Sequence, residues 1–152
     1  MVKYNANRKP RRFEEPDESP IELRSRTMRA VKSKNTRPEM TVRRFLHAAG
    51  LRYRLHDRRL PGVPDLVFPS RRVALFVHGC FWHQHSGCLA ADRPRSSVDY
   101  WTRKLDGNVA RDRRHRADLE AAGWNVLVIW ECEINDNATL ERLVKTIKSV
   151  RP

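Results

Sequence analysis

Apolar residues recur along this chain with two different periods, which separate predicted helices from predicted strands. From Thr36 to Gly50 they fall three and four positions apart, as in an amphipathic helix. Thr36 is a good N-cap, Glu39 three positions later completes a capping box, and Gly50 is a natural end. Residues 139–150 repeat the pattern and predict a closing helix.

Shorter apolar runs between these helices predict strands. Residues 51–55 alternate leucine or tyrosine with arginine, so one face, including Leu55, is predicted to be buried. Residues 66–68 form a short run, residues 73–77 are almost continuously apolar, as in a central strand covered on both faces, and residues 124–130 predict a second core strand. The order of elements predicts an α/β fold with a mixed central β-sheet flanked by helices.

The other segments carry weaker patterns. Residues 1–20 are charged, contain proline and are predicted to be a disordered basic tail, so residues 21–152 form the single predicted domain. Residues 21–34 have a thin apolar stripe, which suits either a frayed amphipathic helix or an arm that touches DNA. Residues 98–105 and 108–122 are predicted to be two helices, and the second is the most basic segment of the chain.

The charge of the chain indicates a polyanionic partner. Lysine and arginine number 31 against 18 acidic residues, which gives a net charge of +13 and a pI near 10.6. Nucleic acid is the usual partner of so basic a domain, although a solvated basic face would have the same composition. No apolar run predicts a signal peptide or a membrane span, so we expect a cytoplasmic protein without a membrane partner.

Cysteine and histidine spacing predicts a zinc site. Cys80, His85 and Cys88 lie within nine residues, and Cys132 at the end of a later strand can supply a fourth ligand. Thiolates and imidazole in tetrahedral geometry suit Zn²⁺, and four protein ligands would make the site structural. His83 is the rival for the imidazole position. Alternatively, the cysteines are small apolar residues of the core.

One carboxylate stands where a nuclease would need it. Asp65 follows a proline at the start of a predicted strand, an arrangement similar to restriction-type nuclease cores, although an ordinary turn can have the same sequence. The acidic-x-Lys triplet of those nucleases is replaced here by Phe76, Val77 and His78.

Five segments together closely resemble the very short patch repair (Vsr) endonucleases: RSRTMRAV, PGVPD, VHGCFWH, NVARDRR and GWNVLVIWEC. The resemblance runs from about residue 24 to residue 132. It implies a restriction-endonuclease-like core with a structural zinc site. It also implies a Mg²⁺-dependent nick 5′ of the thymine in a T:G mismatch, which arises when 5-methylcytosine deaminates.

The same resemblance implies roles for the catalytic residues. Asp65 would be the Mg²⁺ carboxylate, with the backbone carbonyl of Val77 as a further metal ligand. His83 would be the general base and His78 a second catalytic histidine, supported by Glu39. The residues that match the family's zinc ligands are Cys80, His85, Cys88 and Cys132.

Further matches implied by the resemblance concern DNA. Three aromatic residues would wedge into the base stack, two apolar residues would insert from the other groove, a polar pair would contact the mismatch, and exposed arginines would hold phosphates. These residues are, in that order, Phe81, Trp82 and Trp101; Met28 and Val31; Lys104 and Asn108; and Arg111 and Arg114. Composition alone favours buried core aromatics for Trp82 and Trp101, and Trp82 is expected to be the more exposed.

We therefore expect a monomeric bacterial DNA mismatch endonuclease, with mismatch-repair proteins and a repair polymerase as expected partners. Three alternatives remain open at this point. The first is a related nuclease with a different mismatch or site preference. The second is a zinc-stabilised DNA-binding module without catalysis, and the third is a ribonuclease.

Overall fold

The computed structural model describes residues 34–151. The predicted tail, almost all of the basic segment that follows it, and the predicted DNA-inserting residues Met28 and Val31 lie outside the described residues. Within the described part of the chain, no helix is both long and apolar enough to cross a membrane.

Four strands of the described chain form one mixed sheet. They are β1 (Arg54–Leu55), β2 (Leu66–Phe68), β3 (Val73–His78) and β4 (Asn125–Trp130), and they lie in that order across the sheet. The β1–β2 and β2–β3 pairs are antiparallel, whereas β3 and β4 are parallel. The predicted α/β fold with a mixed sheet is confirmed.

Helices connect and flank these strands. They are α1 (Arg37–Ala48), α2 (Cys80–His83), α3 (Val98–Ala121) and α4 (Asn137–Ser149). The start of α1 follows the predicted capping chemistry in part. The Thr36 side chain accepts a hydrogen bond from the Glu39 N–H at 3.3 Å, but the Glu39 carboxylate reaches Asn35 N–H rather than the N–H of Thr36.

The core lies on both faces of β3. Val73 and Leu75 belong to a large cluster that includes residues of α1 and α4, while Ala74 between them packs with Leu119 of α3 and Val126 of β4. Alternate residues of a strand point to opposite faces, so this division shows that β3 is covered on both sides. The prediction of a central, doubly covered strand is confirmed.

Three predicted elements, two helices and one strand, were wrong in extent. Residues 98–105 and 108–122 belong to one helix, α3, because Gly107 is helical and a glycine costs a helix only about 1 kcal/mol. β1 contains only two residues, since only Arg54 and Leu55 pair with β2, and Leu55 is 39% exposed rather than buried. Leu51 still enters the core beyond the end of α1.

Candidate active site and cysteine–histidine centre

The chemically active residues collect where β3 and β4 end side by side. Because these strands are parallel, His78 and Trp130 are register partners at their carboxyl ends. Two residues beyond each partner comes a cysteine, Cys80 on one chain segment and Cys132 on the other. The segment after β3 forms the single-turn helix α2, which ends at Gln84 in a left-handed conformation, with φ of +52°.

Gln84 then fixes the path of the chain after α2. Its side-chain amide donates to the carbonyls of Phe81 at 2.7 Å and Ala91 at 3.2 Å, and its carbonyl oxygen accepts from Arg93 at 2.7 Å. A helix of four residues cannot stabilise itself, so these bonds and the contacts below hold it. The left-handed turn reverses the chain between His83 and His85, which consequently face different surroundings.

Three thiols and one imidazole form the cysteine–histidine cluster: Cys80, His85, Cys88 and Cys132. Their ligand atoms all lie within 4.8 Å of one another, and His85 Nδ1 is 3.7 Å from Cys80 Sγ and 3.3 Å from Cys132 Sγ. All three cysteines are free thiols. Desolvation, followed by the neighbouring thiols, raises the pKa of Cys132 to about 12, so without a cation this thiol keeps its proton at neutral pH. The donor set fits a tetrahedral metal such as Zn²⁺.

His78 and His83 form a separate, stacked pair. Their ring centroids are 3.8 Å apart with planes 7° from parallel, and His83 Nδ1 lies 2.6 Å from Asp112 Oδ2. Burial, followed by the charge of His83, lowers the pKa of His78 to about 4, against the opposing effect of Asp112. His78 is therefore a neutral imidazole at neutral pH, and Asp112 fixes one ring nitrogen of His83.

Asp65 lies beside this histidine pair, at the start of β2. Its Oδ2 accepts a hydrogen bond of 2.7 Å from the Val77 N–H, which joins the carboxylate to β3. The pKa of Asp65 is raised to about 6, mainly by burial and also by the charge of Glu39, against the opposing effects of the Val77 N–H and of the charges of His56 and His83. The predicted Mg²⁺ carboxylate is thus close enough to His83 for their charges to interact.

His56 connects Asp65 to Glu39 on α1. Its Nε2 lies 3.1 Å from Glu39 Oε1 and its Nδ1 lies 4.0 Å from Asp65 Oδ1. The His56 Nε2–Glu39 Oε1 contact is within ion-pair distance but lacks hydrogen-bond geometry. His56 Nε2 is buried and has no hydrogen-bond partner within residues 34–151. Glu39 is 2% exposed, and Arg43 lies 3.4 Å from the same oxygen. Glu39, His56 and Asp65 therefore form a compact group in which the imidazole lies between two carboxylates.

The three predicted wedge aromatics form one cluster beside the histidines. Phe81 contacts Trp82 at 5.0 Å and Trp101 at 5.3 Å between ring centroids, both edge-to-face, and Trp82 lies 6.2 Å from Trp101. Phe81 and Trp82 are half-buried, whereas Trp101 is only 9% exposed. The expectation that Trp82 is the more exposed tryptophan is confirmed, and Trp101 supports the other two rings from behind.

Polar residues of α3 hold α2 and present a basic surface. Asn108 is only 9% exposed; its Nδ2 donates to the Trp82 carbonyl at 2.9 Å and its Oδ1 accepts from Arg111 Nη2. In the DNA-free protein both ends of this amide are therefore occupied. Lys104, Arg111 and Arg114 are exposed on the same helix.

Asp112 and His56 are the site residues that sequence reasoning missed. Asp112 lies four residues after Asn108, one helical turn along the face that meets α2, but it stands among arginines and was given no role. His56 lies in a polar turn with φ of +47°, a conformation unusual for a residue with a side chain. Only the antiparallel β1–β2 pairing, which brings the His56 N–H to the Asp65 carbonyl at 3.3 Å, reveals its position.

Comparison with known proteins identifies the family. The family model for the DNA mismatch endonuclease Vsr matches residues 17–89. The type II nicking enzyme V.XorIIP of Xanthomonas oryzae pv. oryzae is 54% identical over 126 residues, 83% of this chain and 92% of that protein. The DNA mismatch endonuclease Vsr of Escherichia coli K12 is 39% identical over 130 residues, 82% of this chain and 83% of that protein.

This chain belongs to the Vsr family. The resemblance drawn from its motifs is confirmed, and membership makes it a DNA-cleaving hydrolase. The type II nicking enzyme V.NmeAIP of Neisseria meningitidis, 43% identical over 82% of this chain and 91% of that protein, is a further relative. The sheet brings a carboxylate, two histidines and a group of aromatic rings of this chain to one edge.

Proposed function

We propose that this protein nicks one strand of duplex DNA 5′ of the thymine in a T:G mismatch, and that it requires Mg²⁺. One observation carries the proposal. The single-turn helix α2 holds Phe81, Trp82 and His83 at consecutive positions, so the segment with rings available for insertion also carries a candidate base. Asp65, the candidate metal carboxylate, interacts electrostatically with that base.

The residues present fit a hard divalent cation. Asp65 supplies a carboxylate joined to β3 through the Val77 N–H, and the Val77 backbone carbonyl lies on the same residue. Asp65 and the Val77 carbonyl would hold Mg²⁺, a cation that prefers oxygen ligands, with Glu39 as a nearby second carboxylate. When bound, Mg²⁺ would stabilise negative charge on the phosphate and on the leaving oxygen.

His83 is the residue best placed to move a proton. Asp112 Oδ2 fixes its Nδ1 at 2.6 Å, which leaves Nε2 as the nitrogen available to accept a proton from an attacking water. Asp112 would then stabilise the imidazolium that forms. His78, which is stacked on His83 and kept neutral by its low pKa, adds no like charge at that moment.

The aromatic cluster provides a physical basis for mismatch preference. Inserting Phe81 and Trp82 between base pairs costs a few kcal/mol of unstacking, and a mismatch reduces this cost because its base pair is already weakened. Trp101 packs behind both rings and limits their rotation. Lys104 and Asn108 would contact the mismatch, while Arg111 and Arg114 would hold phosphates.

The proposal extends to the rest of the molecule. Cys80, His85, Cys88 and Cys132 would hold a structural Zn²⁺, since four protein ligands leave no open position. The mixed sheet, with its nuclease residues at one edge, supports a restriction-endonuclease-like core. We further propose a monomer that acts in the bacterial cytoplasm together with mismatch-repair proteins and a repair polymerase.

The deciding experiment maps the nick on an end-labelled T:G duplex in both strands. We expect a single break 5′ of the thymine in the presence of Mg²⁺ and none with a chelator. A panel of other mismatches, methylated and unmodified duplexes and an RNA duplex is cut in parallel. Equal cutting of homoduplex or of RNA would contradict the mismatch assignment, and salt-sensitive binding without any product would identify a DNA-binding module.

A further inference from the structure

Four aromatic rings form a continuous row between the histidine pair and the cysteine–histidine cluster. His83 stacks on His78 at 3.8 Å, His78 meets Trp130 at 5.2 Å with planes 73° apart, and Trp130 stacks on His85 at 4.2 Å with planes 6° apart. The Trp130 indole is thus the one ring of the row that contacts both groups. Trp130 has no part in the helix capping, the metal binding or the DNA insertion described above.

Hydrogen bonds of the sheet fix the backbones of His78 and Trp130, whereas neighbouring side chains determine the orientation of the His78 ring. His78 and Trp130 are adjacent in the parallel ladder, the Glu131 N–H donates to the His78 carbonyl at 2.9 Å, and the Trp130 N–H donates to Glu133 at 2.9 Å. Within residues 34–151, no hydrogen bond orients the His78 ring. Its orientation therefore depends on packing against His83, Trp130 and the more distant Phe76, 5.7 Å away.

We propose that Trp130 is a positioning residue: its indole fixes the His78 ring against the cysteine–histidine cluster and thereby sets the geometry of the His78–His83 pair. The ring stacked on His85 cannot rotate without disturbing a cluster that joins α2 to the end of β4. When the cluster holds a metal, it would provide a rigid support for the Trp130 ring, and that ring in turn would position the proposed catalytic histidines. The kinetic test of this inference, which measures kcat for nicking, rests on the proposed nicking function.

Trp124, the residue directly before β4, provides a matched control. Like Trp130, it is half-buried, but it packs with Leu119, Val126 and the Arg72 guanidinium, 5.7 Å from its ring centroid, and within residues 34–151 its ring contacts no histidine. Trp124→Leu therefore removes the same kind of side chain from the other end of this segment without touching the row of rings. Trp130→Phe keeps an aromatic ring at the tested position and serves as the conservative variant.

The test compares Trp130→Leu, Trp130→Phe and Trp124→Leu by steady-state nicking of a T:G duplex and by zinc analysis. We expect Trp130→Leu to lower kcat about 10- to 100-fold, since small misplacements of catalytic groups have effects of this size, with KM changed less than about threefold. Trp130→Phe should recover much of this loss. Trp124→Leu should stay within about threefold of the parent kcat, even though both leucine variants lower Tm.

A second readout does not require nicking. In the zinc-loaded, DNA-free protein, nuclear Overhauser contacts between the His78 and His83 rings should be strong in the parent and in Trp124→Leu, weaker in Trp130→Phe and lost in Trp130→Leu. Retention of these contacts in Trp130→Leu, or a kcat equal to that of Trp124→Leu, would overturn the proposal. If the parent protein nicks no duplex, the proposed function fails, and the ring contacts alone decide the role of Trp130.

Discussion

The cysteine–histidine cluster and the Asp65–histidine centre use neighbouring residues of one short segment but differ in chemistry. The cluster combines soft thiols with one imidazole and brings together four protein donors, the number that a tetrahedral metal takes. The other centre combines carboxylates and imidazoles, and its His83 and Asp112 side chains are 29% and 28% exposed. The left-handed turn at Gln84 separates these two kinds of side chain along the segment.

The largest effect is expected from a substitution that changes only the Asp65–histidine centre. Asp65→Asn should reduce Mg²⁺-dependent nicking on the order of 1,000-fold, because it removes the metal carboxylate and a preorganised charge. Zinc content, measured by metal analysis of the purified protein, should stay at the parental value. Asp57→Asn is the matched control, since Asp57 is a carboxylate of the preceding loop paired with Arg59 at 2.6 Å. Robust nicking by Asp65→Asn would refute the assignment of this residue.

The converse experiment changes the cysteine–histidine cluster and leaves Asp65 in place. Cys132→Ser should abolish stoichiometric zinc and destabilise the protein by about 3 kcal/mol or more, because loss of a structural metal is among the most costly substitutions. Thermal unfolding with and without a strong chelator measures this. The chelator should lower the Tm of the parent to that of the variant and leave the variant unchanged. A variant with full zinc content and parental Tm would remove Cys132 from the cluster.

Local sequence patterns were sufficient to predict much of the fold. Periodicity and capping predicted α1 and α4, and the continuous apolar run predicted β3 as a strand covered on both faces. The extent of β1 was missed because it depends on pairing with β2, and the continuity of α3 was missed because a helix tolerates Gly107 when its flanks are packed.

Prediction of the site was limited by long-range contacts. The motif around α2 identified the histidines and cysteines, but their division into two groups depends on the turn at Gln84. Asp112 and His56 were missed because each acquires its partner only through tertiary structure: Asp112 through the packing of α3 on α2, and His56 through the pairing of β1 with β2. Neither contact has a local sequence signal.

The two shifted pKa values predict an unusual pH dependence of stability in chelator. The pKa of Asp65 is raised from 3.8 to about 6 in the folded state, so its ionisation destabilises the protein as pH rises through that window. The pKa of His78 is lowered from 6.5 to about 4, so protonation of the unfolded state destabilises the protein as pH falls through its window. The two effects oppose each other between about pH 4 and 6.

Asp65→Asn isolates the histidine contribution. Above pH 6 we expect the variant to be more stable than the parent by about 3 kcal/mol, since it lacks the buried charge, and the difference should vanish near pH 4. Urea unfolding across this pH range, with chelator present, measures the difference. Added Mg²⁺ should stabilise only the parent. Equal stability of the two proteins at pH 7 in chelator would show that Asp65 carries no burial penalty.

The smallest effect is expected at the exposed arginines of α3, which belong to neither centre. Arg114→Gln should reduce the slope of log affinity against log salt by about 0.9, the effect of losing one phosphate contact. Its kcat at saturating DNA, zinc content and Tm should remain parental. Arg142→Gln on α4 removes the same charge where no DNA contact is predicted and should leave the slope unchanged. If both variants lowered the slope equally, the affinity would arise from net charge, and the basic face of α3 would have no specific role beside the two centres.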